Sequence, residues 1–348
     1  MSPTRDTIGN GSRAWTRFSV LAALIAARTV TAAPTATETY DYVIAGAGTA
    51  GLVVANRLSE NPRVTVAVVE PGPDVRDNAD VTSVNFNFNN FNRTINFLYE
   101  SVPQTALPGN KTMSYRAGKA IGGTSATNGM VYIRGDKVQY DVWESELGVY
   151  GWNWDSIFAY GKRGETFDVP TENQASVGGA TYTPSAHGFA GPLNVGFPFT
   201  LSNGSSFVAK ARETWASLGL ESVNDLNGGS PASGFALVPM TVDRDAQERE
   251  DSARAYYRPV ETRKNLKIIQ GTVKKITWGR DAWNGEAVAD GVEVVGVTGD
   301  IVRIGARKEV VLSASAYRNP LILESSGVGN PRYVWQNMNS LLNMEQSG

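Results

Sequence analysis

The clearest hydrophobic pattern in the chain lies between Tyr40 and Glu70, where two apolar runs flank a stretch with helical period. Tyr42–Ala45 is β-branched and aromatic enough for a short buried strand, and Val64–Val69 is a second apolar run of strand length. Between the runs, apolar residues recur at the spacing of one helix face: Leu52, Val53, Ala55 and Leu58. The pattern therefore predicts a strand, a helix and a second strand.

Three glycines with G-x-G-x-x-G spacing join the first strand to the helix, namely Gly46, Gly48 and Gly51. The first permits a tight turn, the second lets backbone approach a pyrophosphate, and the third lets the helix pack closely on the strand. Glu70 follows Gly46 by 24 residues, close to the spacing at which a carboxylate binds ribose hydroxyls. A plain glycine turn is the alternative, but strand, helix and acid in register favour a dinucleotide site.

Other segments predict further elements of an α/β fold. We expect a helix over Phe207–Leu218 with Gly219 as its C-cap, a strand over Asn265–Ile269, a hairpin of Gly291–Val297 with Ile301–Ile304, and a buried strand over Lys308–Ala314. Pro71–Asn92 is polar and rich in Asn, Asp and Gly, without a period. It predicts a surface excursion that contributes little to the core.

Composition excludes several classes of site. The formal net charge of −2 and the lack of a Lys/Arg-rich run argue against nucleic acid as a partner. Because the chain has no cysteine, disulfides, thiol nucleophiles and cysteine metal sites are excluded. His187 is the only histidine, which excludes a multi-histidine zinc site and leaves one imidazole for acid–base chemistry, so no metal site is predicted.

Residues 1–33 predict a secretory signal, with arginines first, an apolar run over Phe18–Ala27 and small residues over Val30–Ala32. The apolar run is short for a bilayer span, so a membrane anchor and a disordered leader are the weaker alternatives. Three sequons, at Asn92, Asn110 and Asn203, suit glycosylation on that route. We therefore expect a secreted glycoprotein with no membrane partner.

A second glycine-rich stretch, MSYRAGKAIGGTSATNGMVYIRG over Met113–Gly135, lacks a clear helical period. Its glycines and small hydroxyl residues allow backbone to approach a flat ligand, with N–H groups and the Asn128 amide as donors. This stretch predicts a second part of the same ligand site.

GAGTAGLVVANRLSE, GKAIGGTSATNGMVYIRG and DVWESELGVYGWNWDSI at Asp141–Ile157 together resemble the glucose-methanol-choline family of flavoprotein oxidoreductases, especially its secreted fungal members. The resemblance covers residues 40–331 and implies FAD as the cofactor. It also implies an α/β, Rossmann-like FAD-binding domain with an incomplete α+β substrate domain. The FAD-binding domain would comprise residues 36–150 and 226–331, the substrate-domain part 151–225, and a divergent tail 332–348.

The resemblance implies cofactor contacts at two groups of positions. In the first motif and the later segments they are Gly46, Gly48, Thr49, Ala50, Gly51, Glu70, Pro71, Val273 and Ala314. In the second motif they are Gly122, Asn128, Gly129, Met130 and Val131, which would contact the flavin. Backbone at Val273 would hold the adenine, and a plain turn residue is the alternative for Asn128.

Two positions depart from the family pattern, and the resemblance also implies a role for the histidine. Ser315 stands where the strand end usually has glycine, and Asn319 stands where the next helix opens with serine. Tyr182–Pro192, YTPSAHGFAGP, matches the HGxxGP segment that opens a substrate-domain strand. By that resemblance His187 is structural and not the catalytic base.

In the family a C-terminal histidine takes the alcohol proton, and that segment has no counterpart in this sequence. We therefore expect a truncated member, name no catalytic residue, and expect unpaired strand edges within residues 150–210. The leading function is an FAD-dependent oxidoreductase acting on a small-molecule alcohol, a sugar or a polyketide-like substrate. A ring-forming synthase of fungal secondary metabolism, a flavin-binding remnant without turnover and a nicotinamide-dependent dehydrogenase are the alternatives. The oligomeric state is not predicted.

Overall fold

The computed structural model describes residues 36–84, 94–198, 206–229, 234–280 and 286–332. The predicted signal, the sequons at Asn92 and Asn203 and nearly all of the predicted tail lie outside these ranges. Asn110 is inside them, exposed in the turn between two strands.

The elements alternate between strand and helix along most of the chain. In order they are β1 (Ala36–Ala45), α1 (Thr49–Leu58), β2 (Val66–Glu70), α2 (Ala79–Thr82), β3 (Asn96–Glu100), β4 (Ser114–Gly118), α3 (Lys137–Ser145), α4 (Trp154–Gly164), β5 (Glu165–Phe167), α5 (Glu172–Ser176), β6 (Leu193–Val195), α6 (Ser206–Ser217), β7 (Val242–Asp243), β8 (Glu248–Arg249), β9 (Leu266–Arg280), β10 (Ala287–Gly296), β11 (Ile301–Leu312) and α7 (Ser315–Ser325). The predicted helix before Gly219 is confirmed as α6, and Gly219 follows with φ +83°.

Five strands close into a ring in the order β1-β11-β10-β9-β2. β1 runs parallel to both β2 and β11, and β9 runs parallel to β2 over Leu266–Gln270. β10 is antiparallel to both β9 and β11. The ring therefore joins a parallel αβ sheet to an antiparallel three-stranded meander through the two long strands β9 and β11.

The sequence prediction divided β11 incorrectly. The hairpin arm at Ile301–Ile304 and the buried strand at Lys308–Ala314 are one continuous strand that ends at Leu312. Its first part pairs with β10 and its second part with β1. The hydrophobic period changes within β11 because its partner strand changes from β10 to β1. The sequence prediction interpreted this change as a boundary between two strands.

β1 is buried on both faces, as its apolar run predicts. Val43 and Ala45 face the core enclosed by the ring, whereas Ile44 packs with Leu52 and Ala55 of α1. All five residues are at most 1% exposed. The start of α1 is therefore held against the carboxyl end of β1, where the glycine turn lies.

The excursion after β2 contributes more to the core than its polarity suggests. Val75 and Val81 are 4% and 2% exposed and pack with Ile95, Ala120 and Ala126. The expectation of little core is thus wrong for this part of the excursion. Two isolated valines in a polar stretch give no period from which their burial could be predicted.

The part of the chain between β2 and β9 contains a short parallel pair of strands, β5 with β6. β6 follows directly after the segment that contains His187, as predicted. Large apolar side chains on and after α3 remain exposed, including Trp143, Tyr150 and Trp152. Within the described ranges, no helix is long and apolar enough to cross a bilayer.

Candidate cofactor site

A cavity of about 330 Å³ lies where the carboxyl ends of β1 and β2 meet the start of α1. Crevices at the carboxyl ends of parallel strands are the usual ligand sites of such sheets. Predicted site residues that line the cavity are Gly46, Gly48, Thr49, Ala50, Glu70, Pro71, Val273 and Ala314. The fold thus brings together positions from three distant parts of the chain.

The glycine turn shows which glycines the protein itself requires. Gly46 has φ +102°, and a Cβ there would lie 2.6 Å from the carbonyl oxygen of Ser313. A Cβ on Gly51 would lie 2.0 Å from the carbonyl oxygen of Gly46. At Gly48 the backbone is extended, and the nearest atom to a Cβ would be the Gly123 Cα at 3.7 Å. Gly48 is therefore open toward the cavity, whereas Gly46 and Gly51 are confined by backbone.

Glu70 anchors this turn with both carboxylate oxygens. Its Oε2 accepts a hydrogen bond from the Ala47 N–H at 3.0 Å, and its Oε1 accepts one from the Gly72 N–H at 2.8 Å. The residue is 6% exposed, and burial raises the pKa of its carboxyl, opposed by the two backbone hydrogen bonds and by Lys119 and Arg318. A carboxylate oxygen accepts more than one hydrogen bond, so Glu70 can also receive a ligand hydroxyl.

The second glycine-rich stretch packs directly onto the first. The Gly122 N–H donates to the Ala47 carbonyl at 2.8 Å, and a Cβ on Gly123 would lie 2.5 Å from the Gly48 Cα. Gly123 and Thr124 line the cavity, whereas Gly122 does not. Gly122 hydrogen-bonds to the first glycine turn, and a cofactor contact at Gly122 stays a prediction.

Asn128, Gly129, Met130 and Val131 lie outside the lining of this cavity. Asn128 Oδ1 accepts hydrogen bonds from the Arg249 guanidinium at 2.9 Å and from the Met130 N–H at 3.0 Å. Met130 is fully buried with φ 63°, and Val131 is 57% exposed. These contacts give Asn128 a structural role as a turn residue, and flavin contacts at the four positions stay a prediction.

The family model for GMC oxidoreductase matches residues 40–341, most of the chain. The chain belongs to the GMC oxidoreductase family. The matched model is that of the N-terminal part of GMC oxidoreductases, and the mixed sheet of this chain is consistent with that part.

Two similar proteins come from fungi. The chain is 50% identical over 284 residues to the glucose oxidase-like protein fsoC of Humicola fuscoatra, covering 81% of this chain and 48% of that protein. It is 35% identical over 299 residues to glucose oxidase of Penicillium chrysogenum, covering 84% and 47%. The chain therefore spans about half the length of these relatives.

Solved structures with the same fold are also oxidoreductases. An FAD-dependent oxidoreductase from Chaetomium thermophilum superposes with a TM-score of 0.76 at 32% identity, covering 84% of this chain and 48% of that one. Formate oxidase superposes with a TM-score of 0.73 at 25% identity, covering 87% and 50%. These similarities support the fold and leave the individual site residues to be argued from their geometry.

Several cavity residues of this GMC chain escaped prediction. Phe97 and Tyr99 of β3 line the cavity, as do Arg318 and Asn319 of α7. Asn319 Oδ1 accepts the Ala314 N–H at 2.8 Å, so the residue that replaces a family serine holds the turn before α7. The apolar alternation of NFLYE was the only sequence signal for β3, and it does not show which ligand the strand faces.

Ser315 lies on the cavity wall with φ +79°, a conformation that favours glycine. Its Oγ accepts the Tyr317 N–H at 3.2 Å, which offsets part of the strain. We expect Ser315→Gly to be as stable as the parent or more stable, by less than about 1 kcal/mol. Ser315→Ala should be less stable than both, because it keeps the strain and loses the hydrogen bond. Urea denaturation of the three proteins checks this order, and an alanine variant as stable as the parent would contradict it.

His187 lies away from this cavity in a buried charge cluster. Its Nε2 is 2.8 Å from Asp225 Oδ2, its Nδ1 is 3.2 Å from Glu165 Oε1, and its ring stacks on Phe167 at 3.7 Å. Arg134 donates to the same Glu165 oxygen at 2.8 Å. The side chains of the four charged residues are at most 9% exposed. With both ring nitrogens engaged, His187 has the geometry of a structural residue.

Proposed function

We propose that this chain binds FAD in the cavity at the β1–α1 turn and serves a GMC oxidoreductase that acts on the CH–OH group of a sugar or other small alcohol. The observation that carries the proposal is the open position at Gly48, beside the first turn of α1 and Glu70. Helix N-termini bind phosphates, and a carboxylate at the end of the second strand binds ribose hydroxyls.

The chemical groups that line the cavity are those that bind an adenosine dinucleotide. Backbone N–H groups at Thr49 and Ala50 would bind the pyrophosphate, and Glu70 would bind the adenosine ribose. Val273, on β9 at the cavity wall, would face the adenine through its backbone. When bound, FAD supplies an acceptor for the hydride that leaves the alcohol carbon.

The described residues position and enclose the cofactor, and we assign no base among them. His187 is the only histidine of the chain, and it is held between two buried carboxylates. A general base must reach the proton that it removes, and a buried, doubly bonded imidazole does not. The substrate class rests on the relatives, of which one is a glucose oxidase.

We also propose that the protein is secreted and glycosylated. The support is the sequence pattern of residues 1–33 together with the exposed Asn110 in the β3–β4 turn. Loss of a glycan by Asn110→Gln, seen as a mass decrease of the secreted protein, would test the modification.

FAD binding is tested by the absorbance of the purified chain. Folded protein should absorb at about 450 nm or acquire this absorbance when FAD is added, and folded protein that stays colourless with FAD would overturn the proposal.

Glu70→Ala tests the ribose contact within that site. We expect the affinity for FAD to fall at least about tenfold, because the variant loses the ribose acceptor and the anchor of the Ala47 and Gly72 N–H groups. Glu60→Ala is the matched control, since Glu60 is exposed and pairs with Arg57 outside the cavity. Titration with FAD measures both, and equal effects would remove Glu70 from the ribose role.

A further inference from the structure

Two cations, Lys119 and Arg318, lie beside the cofactor cavity. Arg318 lines the cavity, and its guanidinium is 5.0 Å from the ring centre of Phe97, which also lines it. The Lys119 ammonium is 5.7 Å from the same ring. Both residues are half-buried, and in the part of the chain that the structure describes their side-chain contact is the Phe97 ring, with no ion pair to an acidic residue. Charged side chains that are partly removed from water normally have a partner of opposite charge, so these two cations are suited to bind an anion.

The surrounding contacts hold both cations in place. Arg318 lies in α7 next to Tyr317, whose ring stacks on Tyr99 of β3 at 5.0 Å. Lys119 directly follows β4, and its N–H donates to the Ile95 carbonyl at 2.7 Å. Two separate elements therefore bring positive charge to one aromatic ring at the cavity.

The cavity itself has little negative charge to balance this pair. Glu70 is the only acidic residue among the described residues that line it. Lys119 and Arg318 both act on the charge of Glu70 by favouring its ionised form, so the three groups share one electrostatic environment. One carboxylate with two cations leaves an excess of positive charge.

We propose that Lys119 and Arg318 bind a phosphate group of the adenosine dinucleotide and so set the selectivity of the cavity for phosphorylated over unphosphorylated adenosine ligands. The inference rests on the proposed FAD site and deepens it. Arginine presents a planar set of donors that matches phosphate, and lysine adds a point charge. The two side chains act beside the backbone donors of the glycine turn, which lack net charge.

The test compares ADP with adenosine by calorimetric titration of flavin-free protein at several KCl concentrations. For Arg318→Gln and Lys119→Gln we expect ADP binding to weaken at least about tenfold, with adenosine binding unchanged within about twofold. The dependence of ADP affinity on salt should become shallower. Arg318→Lys keeps the charge and should recover part of the affinity.

Lys111→Gln is the matched control, because Lys111 is exposed between β3 and β4 and is not one of the two cations that lie over the Phe97 ring at the cavity. It removes the same charge and should leave both affinities unchanged. Equal weakening of ADP and adenosine by Arg318→Gln would show a packing role and overturn the assignment, as would no weakening of ADP. A parent protein that binds neither ADP nor FAD would instead overturn the proposed dinucleotide site.

Discussion

Gly51→Ala is expected to destabilise the fold by about 3 kcal/mol or more, whereas Gly48→Ala, three residues earlier, should leave stability almost unchanged. A Cβ at Gly51 meets the Gly46 carbonyl oxygen at 2.0 Å, and neither backbone can move without shifting α1 from β1. The higher helix propensity of alanine, about 1 kcal/mol, does not offset this overlap.

Gly48→Ala places its Cβ in the space that faces the cavity. The nearest protein atoms are at 3.7 and 4.0 Å, which is ordinary contact, and the backbone has φ −86°, which alanine adopts readily. We therefore expect folded protein that binds FAD at least about tenfold more weakly, because the methyl group displaces the pyrophosphate. The two variants separate the glycine that the fold needs from the glycine that the ligand needs.

Urea denaturation and FAD titration of the two variants provide the measurement. If Gly48→Ala binds FAD as tightly as the parent, the pyrophosphate does not lie at this turn. If Gly51→Ala is as stable as the parent, the tight approach of α1 to β1 is not required in solution. Both results would contradict the geometry of the turn described above.

His187→Gln is expected to cost about 3–5 kcal/mol of the free energy of unfolding. The histidine balances two carboxylates in a cluster with Arg134, and its removal leaves Glu165 and Asp225 facing one remaining cation. The stacking of the imidazole on Phe167 is lost as well. Lys210→Gln removes a cation from the exposed Lys210–Glu213 pair and should not change the denaturation midpoint measurably.

The effect of His187→Gln should depend on pH. Burial disfavours the charged imidazole, but hydrogen bonds to Asp225 and Glu165 outweigh it and raise the pKa of His187 above 6.5. A raised pKa gives stability that is complete below pH 6.5 and is lost as pH rises through the folded value. Burial disfavours the ionised forms of Glu165 and Asp225, but hydrogen bonds to His187 and other groups outweigh it and lower both pKa values. Their contribution to stability is therefore complete above pH 4.5 for Glu165 and above pH 3.8 for Asp225, and it is lost as pH falls through the folded values.

The difference in stability between the parent and His187→Gln should therefore be largest from pH 4.5 to 6.5 and smaller on either side. Because the chain has one histidine, NMR of the imidazole reports this single titration without overlap. An imidazole that titrates below pH 6.5 in the folded protein would show that the two carboxylates do not hold its proton.

Local pattern was enough to predict the centre of the site. The strand before Gly46, the helix after Gly51 and the acid at Glu70 form one continuous segment, so spacing along the chain fixes their relation in space. The same holds for α6 before Gly219. In each case the residues that decide the structure are neighbours in sequence.

The sequence by itself thus determined the αβ unit with its glycine turn and acid, and, through resemblance, the family and the cofactor expected. The tertiary structure decided which residues meet at the cavity and in the charge cluster. Phe97 and Arg318 reach the cavity from β3 and α7, and His187 meets partners 22 and 38 residues away in sequence. Period and turn signals report which face of an element is buried, but they do not report what that face packs against, since partner choice depends on how all the elements pack together.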